Sequence, residues 1–314
     1  MSSKQGLPLS MNTSLPEQAG ALWPAILRQT AHALDRGALL PIQTSRTTID
    51  DGGVRFVVRQ ISSLARKEKE AQQRKAGSSG ARASNPFLPY DPDLFVADIS
   101  DTHLVLLNKF NVIDHHVLIV TRRFELQRAL LNLADFRALF TCMTQFDSLG
   151  FYNGGPEAGA SQLHKHLQIA PLPLDDTTSP LPIEPLLASA RMDGSVGTVP
   201  GLGFAHAFVG FDPVPVSRPL ELAHSAFERY MSLLAATGLH AVDVDGEPLQ
   251  SAPYNLLVTT RWMMLVPRRA EHSEGISINA LGFAGSLFVR NETQMDIIRT
   301  RGPMSILKQV AGTI

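Results

Sequence analysis

Cysteine is almost absent from this chain of 314 residues, where Cys142 stands alone. A single thiol forms no internal disulfide and rules out a zinc site built from several thiolates. With Phe140 and Met143 beside it, Cys142 reads as a buried helical thiol rather than a nucleophile. An excess of positive charge is missing too. Lys and Arg total 28 against 29 Asp and Glu, so bulk charge points neither to nucleic acid nor to a membrane surface. No stretch approaches the roughly 20 apolar residues a membrane span needs, and no secretory signal is recognisable. The Walker pattern and the dinucleotide fingerprint are both lacking. What remains is 44% hydrophobic and 18% charged, the balance of a globular protein with room for one large or two modest domains. A cytoplasmic enzyme or binding protein is expected, with its oligomeric state left open.

Periodicity supplies the elements. Residues 1 to 17 are polar and read as a tail, whereas Leu22, Trp23, Ile26, Leu27 and Leu34 recur at helical spacing. Asp50-Asp-Gly-Gly53 predicts a hairpin turn before Val54–Val58. Lys67 to Ser84 is charged and then rich in Gly, Ser and Ala, a loop composition. Strands are predicted at Leu104–Leu107 and Val117–Val120. A helix follows, with Asn132 as its cap, Asp135 in its first turn and Gly150 as its stop. Another spans Ala223–Ala236. Asn255–Arg268 echoes the strand-turn-strand of Leu104–Arg122, which suggests two similar half-domains built by duplication. The boundaries read as 1–40 (tail and helix), 41–175 (first half), 176–203 (Pro-rich linker) and 204–314 (second half).

The chemistry concentrates in Ser161-Gln-Leu-His-Lys-His-Leu-Gln-Ile169. In an extended strand side chains alternate, so Leu163, Lys165, Leu167 and Ile169 point one way and His164, His166 and Gln168 the other. On this pattern alone catalysis and a two-histidine metal site rank level, with a solvated edge close behind. The preceding Gly159-Ala160-Ser161-Gln162 carries backbone N–H groups, a hydroxyl and an amide, donors of the kind that cradle phosphate oxygens. Asn153, flanked by Gly154 and Gly155, adds another, and Lys109, Arg122 and Arg268 are candidate cations.

The runs Asn108–His116, Phe151–Pro156, Gly159–Gln168, Trp262–Arg268 and Ser277–Ser286 resemble the diadenosine tetraphosphate phosphorylase (ATP adenylyltransferase) family. That family lies in the histidine-triad superfamily, in the branch holding galactose-1-phosphate uridylyltransferase. The likeness runs from about Leu39 to Leu287. Leu163 departs from it, where proline is expected. The resemblance implies an α+β, histidine-triad-like fold with an antiparallel sheet and flanking helices. It implies that His166 attacks the α-phosphorus and carries the adenylyl group. His164 would order the site, Gln168 would donate to the transferring phosphoryl group, and His116 would support the catalytic strand. Lys67, Asn153, Ser161 and Gln162 would hold polyphosphate, and Asn108 and Lys109 would lie near the nucleoside or its phosphates. The substrates implied are diadenosine tetraphosphate, ATP, ADP and phosphate. Mg²⁺ would ride on the polyphosphate, and no organic cofactor or protein-held metal is expected.

Gln168 bears on the direction of the reaction. Histidine-triad hydrolases generally place a third histidine there, and an imidazole handles a proton where an amide does not. Phosphorolysis exchanges two groups that are already anionic, so it demands little proton transfer. Gln168 therefore favours phosphate over water as acceptor. The alternatives are a hexose-1-phosphate nucleotidyltransferase, a dinucleoside polyphosphate hydrolase, a non-catalytic nucleotide sensor and a zinc-binding structural protein.

Overall fold

The computed structural model describes residues 20–62, 85–174, 179–212, 215 and 217–313. Helix α1 (Leu22–Asp35) buries Leu22, Ala25, Ile26 and Ala33. A hairpin follows, β1 (Thr44–Asp51) and β2 (Val54–Ile61), turning at Gly52 and Gly53 with φ of 58° and 81°. Both φ values favour glycine. The first half then runs β3 (Phe95–Asp98), β4 (His103–Leu107), β5 (Val117–Thr121), helix α2 (Leu133–Met143), β6 (Ser148–Gly154) and β7 (His166–Pro171). The Asn132 side chain accepts from Ala134 and Asp135 N–H while Asp135 accepts from Asn132 N–H, a reciprocal cap that satisfies otherwise orphaned donors.

Helix α2 ends at Met143, not at Gly150, which lies within β6. A Cβ on Gly150 would stand 2.7 Å from Met143 Sδ and 2.9 Å from a Leu139 methyl. This glycine is a contact point for α2 rather than its cap. Cys142 is buried in that helix, and burial pushes its thiol pKa up.

The second half runs α3 (Glu184–Leu187), β8 (Arg191–Asp193), β9 (Val196–Thr198), β10 (Ala207–Gly210), α4 (Pro219–Ala236), a small hairpin of β11 (Ala241–Val244) and β12 (Glu247–Gln250), then β13 (Tyr254–Val258) and β14 (Trp262–Pro267). Residues 184–198 are therefore not the irregular linker their proline content predicts; they include the outermost strands of the second half. The two halves share one ten-stranded antiparallel sheet, ordered β3-β4-β5-β7-β6-β13-β14-β10-β9-β8. From its outer edge inward each half reads first, second, third, fifth, fourth strand, with a helix after the third. The halves meet where β6 pairs β13.

This order confirms two similar halves and corrects the alignment between them. The counterpart of β13–β14 is β6–β7, not Leu104–Arg122, because any two buried adjacent strands share the same apolar pattern. With Asn153 opposite Asn255 at the seam, the register puts Val266 where the first half has His166, Met264 where it has His164, and Arg268 where it has Gln168.

One face of the sheet packs Leu167, Ile169, Tyr152, Leu256 and Leu265 with α1, α2 and α4. The other packs Phe151, Leu257, Met264 and Val266 with β2, with α5 (Ala280–Phe283), and with α6 (Glu292–Arg301) and α7 (Pro303–Val310). Here β17 (Ser286–Val289) joins β2 in parallel, after the short pair β15 (His272–Ser273) and β16 (Ile276–Ser277). Hairpin β1–β2 thus packs with the end of the chain rather than within the first half. A smaller cluster of Phe87, Leu104, Leu106, Leu118 and Val120 covers the outer part of this second face. β7 lies between the two clusters.

Candidate active site

The strand that carries the histidines begins at His166; His164 precedes it, in an isolated bridge with Leu126. Alternation holds within the strand. Val120 and Leu118 are the register partners of His166 and Gln168, so both polar residues share the face of the Phe87 cluster. Lys165, Leu167 and Ile169 go to the helix-covered face. Leu163 does not join them, being 67% exposed.

The His166 ring is buried, and its Nδ1 lies 2.8 Å from the carbonyl oxygen of His164. A carbonyl only accepts, so the proton sits on Nδ1 and the lone pair on Nε2. No protein group among the described residues hydrogen-bonds that Nε2. Burial lowers the ring's pKa to about 4, with His164 adding to the effect and the carbonyl opposing it. At neutral pH the imidazole is uncharged, the form that carries a free electron pair.

His164 is fixed from three sides. Its Nε2 donates towards the carbonyls of Thr121 (2.8 Å) and Arg123 (3.1 Å), and its Nδ1 accepts from Asn85 Nδ2 at 3.0 Å. Phe87 lies against both histidine rings, with centroids 5.6 Å and 5.4 Å away, and Phe124 lies 5.4 Å from His164. Asn85 and Phe87 are absent from the residues the sequence singles out, for nothing in their spacing ties them to a strand 79 positions away.

His116 just precedes β5 and is buried. Asn108 Nδ2 donates to its Nδ1 at 3.1 Å, which leaves the proton on Nε2. Burial lowers its pKa to about 4, opposed by the Gln168 side chain beside it. Among the described residues no hydrogen bond of ordinary geometry reaches His116 Nε2, so Gln168 lies beside the ring without satisfying it.

Gln127 is the other residue the sequence does not reveal. Its Oε1 accepts from His166 N–H at 2.8 Å, and its Nε2 donates to the carbonyls of Asn153 (2.9 Å) and His166 (3.1 Å). Behind the strand Lys165, fully buried, pairs with Asp135 at 2.6 Å and Glu125 at 3.1 Å and donates to Leu130 O. Asp135 also meets His103 at 3.0 Å. A buried ammonium persists only with such partners.

Asn153 Oδ1 accepts from Asn255 Nδ2 (2.8 Å) and from Ala280 N–H (2.9 Å), so this amide is built into the seam between the halves. Asn255 also donates to Ala158 O and accepts from Arg268. Arg268 is no phosphate cation. It is buried, and its remaining donors run to the carbonyls of Ala158, Ala270, Glu271, Ile278 and Val310. Desolvation lowers its pKa to about 10, which leaves it charged at neutral pH. Arg122 is paired with Asp98.

The turn before the histidines is only partly the predicted cradle. Gly159 N–H bonds to Pro156 O at 2.8 Å and Ala160 N–H to Gly155 O at 3.1 Å, so these two donors close the turn instead of facing a ligand. Gly159 has φ 88°, and a Cβ there would stand 2.8 Å from Ile278 O. Glycine is required on both counts. Ser161 is exposed and Gln162 half-buried at the edge of the site. Asn108 and Lys109 are half-buried at the end of β4, where Lys109 O accepts from Leu40 N–H. Lys67 lies outside the described residues.

Residues 12–189 match the Ap4A phosphorylase N-terminal domain, and residues 200–313 match the ATP adenylyltransferase C-terminal domain. The chain belongs to the Ap4A phosphorylase family. Diadenosine 5',5'''-P1,P4-tetraphosphate phosphorylase 2 of Saccharomyces cerevisiae is 29% identical over 70% of this chain and 73% of its own length. Protein APA1 of the same yeast is 27% identical over 83% and 84%. The crystal structure of yeast Ap4A phosphorylase Apa2 in complex with AMP has the same fold, with a TM-score of 0.73 at 22% identity over 92% of this chain and 95% of that one. The complex of Apa2 with Ap4A gives 0.72 at 21% identity over 93% and 97%. The α+β architecture implied by the resemblance, an antiparallel sheet with flanking helices, is the one observed.

Proposed function

We propose that this member of the Ap4A phosphorylase family cleaves diadenosine tetraphosphate with inorganic phosphate, giving ATP and ADP through an adenylyl group carried on His166. One observation carries the reading. His166 is buried and neutral, its Nδ1–H is held by the His164 carbonyl, and its Nε2 has no hydrogen-bond partner among the described residues.

In the first displacement a bond forms between Nε2 and the α-phosphorus, and the bond from that phosphorus to the bridging oxygen breaks, releasing ATP. The ring then carries a positive charge that the His164 carbonyl stabilises through Nδ1–H. In the second, a phosphate oxygen attacks the same phosphorus, the P–N bond breaks, and ADP leaves with neutral His166 restored. Neither leaving group needs a proton from the protein. With the His116 proton on Nε2, the Gln168 carbonyl is the end that suits His116, and its NH₂ is the end offered to the phosphoryl oxygens. Ser161 and Gln162 border the path of the polyphosphate, Asn108 and Lys109 the nucleoside side, and Asn153 shapes the site from the seam.

We place the divalent cation with the substrate. Among the described residues no group of three His, Cys, Asp or Glu side chains stands close enough together to hold an ion, so Mg²⁺ would neutralise phosphate charge from the polyphosphate itself. No helix among the described residues is long and apolar enough to cross a membrane.

The test is incubation with diadenosine tetraphosphate, with and without inorganic phosphate. Sustained turnover to ATP and ADP only when phosphate is present is the expected result. Turnover indifferent to phosphate, with AMP in place of ADP, would establish hydrolysis instead.

A further inference from the structure

The ladder between β6 and β7 stops one rung short of the histidine. Pairing runs Ser148↔Pro171, Leu149↔Ala170, Gly150↔Ile169 and Phe151↔Gln168, and ends there. Two residues further on, the partner of His166 would be Asn153. The counterpart rung in the second half, Asn255↔Val266, is formed directly, and so are Leu256↔Leu265 and Leu257↔Met264 beyond it. In the first half the carboxamide of Gln127 occupies the missing rung. It takes the N–H of His166 and donates to the carbonyls of His166 and Asn153. Both hydrogens and the oxygen of the amide are engaged, and a flipped amide would set its oxygen against two carbonyls. Gln127 is itself buried, and its own N–H is tied to Leu163 O at 2.7 Å.

A direct rung would hold the two strands near the usual 4.8 Å. An interposed amide spreads them at the level of the nucleophile while leaving no backbone group of His166 orphaned. The chain beyond Asn153 leaves the ladder into the Gly155–Gln162 turn, whereas β13 stays zipped to β14. We infer that Gln127 is a positioning residue for adenylyl transfer: it replaces a sheet rung so that His166 is held rigidly in a strand and still has open space beside its Nε2. This rests on the reading of His166 as nucleophile. Gln127 acts only through the backbone of His166 and touches no reacting atom.

Two variants test it. Gln127→Met keeps the length of the side chain and removes all three hydrogen bonds. The expected result is a fall of about a hundredfold in the single-turnover rate of adenylylation, the scale of a displacement near 1 Å. AMP binding should stay within about threefold, because uniform binding is not what is lost. Imidazole ¹⁵N shifts of His166 supply a reading independent of activity: a single Nδ1–H tautomer in the parent protein, and a mixture in the variant. Gln127→Glu sets a carboxylate against two carbonyls. Protonating it restores a donor, so its adenylylation rate should recover as pH falls towards 5 relative to the parent. Parental adenylylation and ¹⁵N shifts in Gln127→Met would overturn the inference. If that variant fails to fold, a Gln127→Glu protein whose rate relative to the parent does not change with pH would do so. A parent protein that forms no adenylyl-histidine would refute the proposed reaction instead, and the tautomer comparison would still decide whether Gln127 holds the ring.

Discussion

The same strand pair occurs twice in this molecule, once closed and once open. In the second half β13 and β14 are zipped from Tyr254↔Pro267 to Val258↔Met263, and Met264 and Val266 belong to the core. In the first half the equivalent pair opens after Phe151↔Gln168, and His164 and His166 occupy those two positions. A sheet rung is the strongest local constraint available to a strand, yet it leaves no room for a ligand. The closed copy still serves the open one. Its Asn255 and Arg268 tie Asn153 and Ala158 in place, next to the turn that leads to the histidines.

If the open half alone is catalytic, His166→Ala should give the largest effect. We expect a loss of roughly 10⁴-fold in kcat, since removal of a nucleophile leaves only binding and electrostatic help, and no adenylyl-protein should form. Removing the amide of Gln168 at constant side-chain length, by Gln168→Met, should lower kcat about a hundredfold, the usual cost of one donor to a developing oxyanion. The KM for diadenosine tetraphosphate should barely change in steady-state kinetics.

The pH profile sharpens the contrast further. His166 and His116 are pushed down to about 4 by burial. Single-turnover adenylylation should therefore stay level between pH 7 and 6, where an ordinary histidine with a pKa of about 6.5 would already be losing its neutral form. Stability behaves differently. Between about 4 and the unfolded value near 6.5, the unfolded chain binds more protons than the folded one, so stability falls as pH falls through that window. Denaturant unfolding at pH 7 and pH 5 should reveal the loss, with the lower midpoint at pH 5. The smallest effect is expected from Asn255→Ala, which removes two buried donations across the seam. It should lower stability by about 1–3 kcal/mol in denaturant unfolding, with kcat reduced far less than by Gln168→Met.

Much of this was legible from residue order. The cap at Asn132, the turn at Gly52-Gly53 and the shared face of His166 and Gln168 all depend on neighbours in sequence, and each is present. Gln127, Asn85 and Phe87 could not be read, since each meets the histidines across 39 to 79 residues of chain. Lys165 shows the limit of alternation: period two sends it to the apolar face, but only the fold brings Asp135 and Glu125 to neutralise it. The likeness of the two halves was visible as an echo and misaligned, because apolar strand pairs resemble one another whatever their place in a sheet.

The most direct test of the central claim is intact-protein mass spectrometry after mixing the chain with diadenosine tetraphosphate in the absence of phosphate, followed by peptide mapping. The account predicts one adenylyl group per chain, on His166 in the open strand pair, discharged as ADP when phosphate is added. Turnover to ATP and ADP with no adenylyl group on His166, or with the group on another residue, would contradict it.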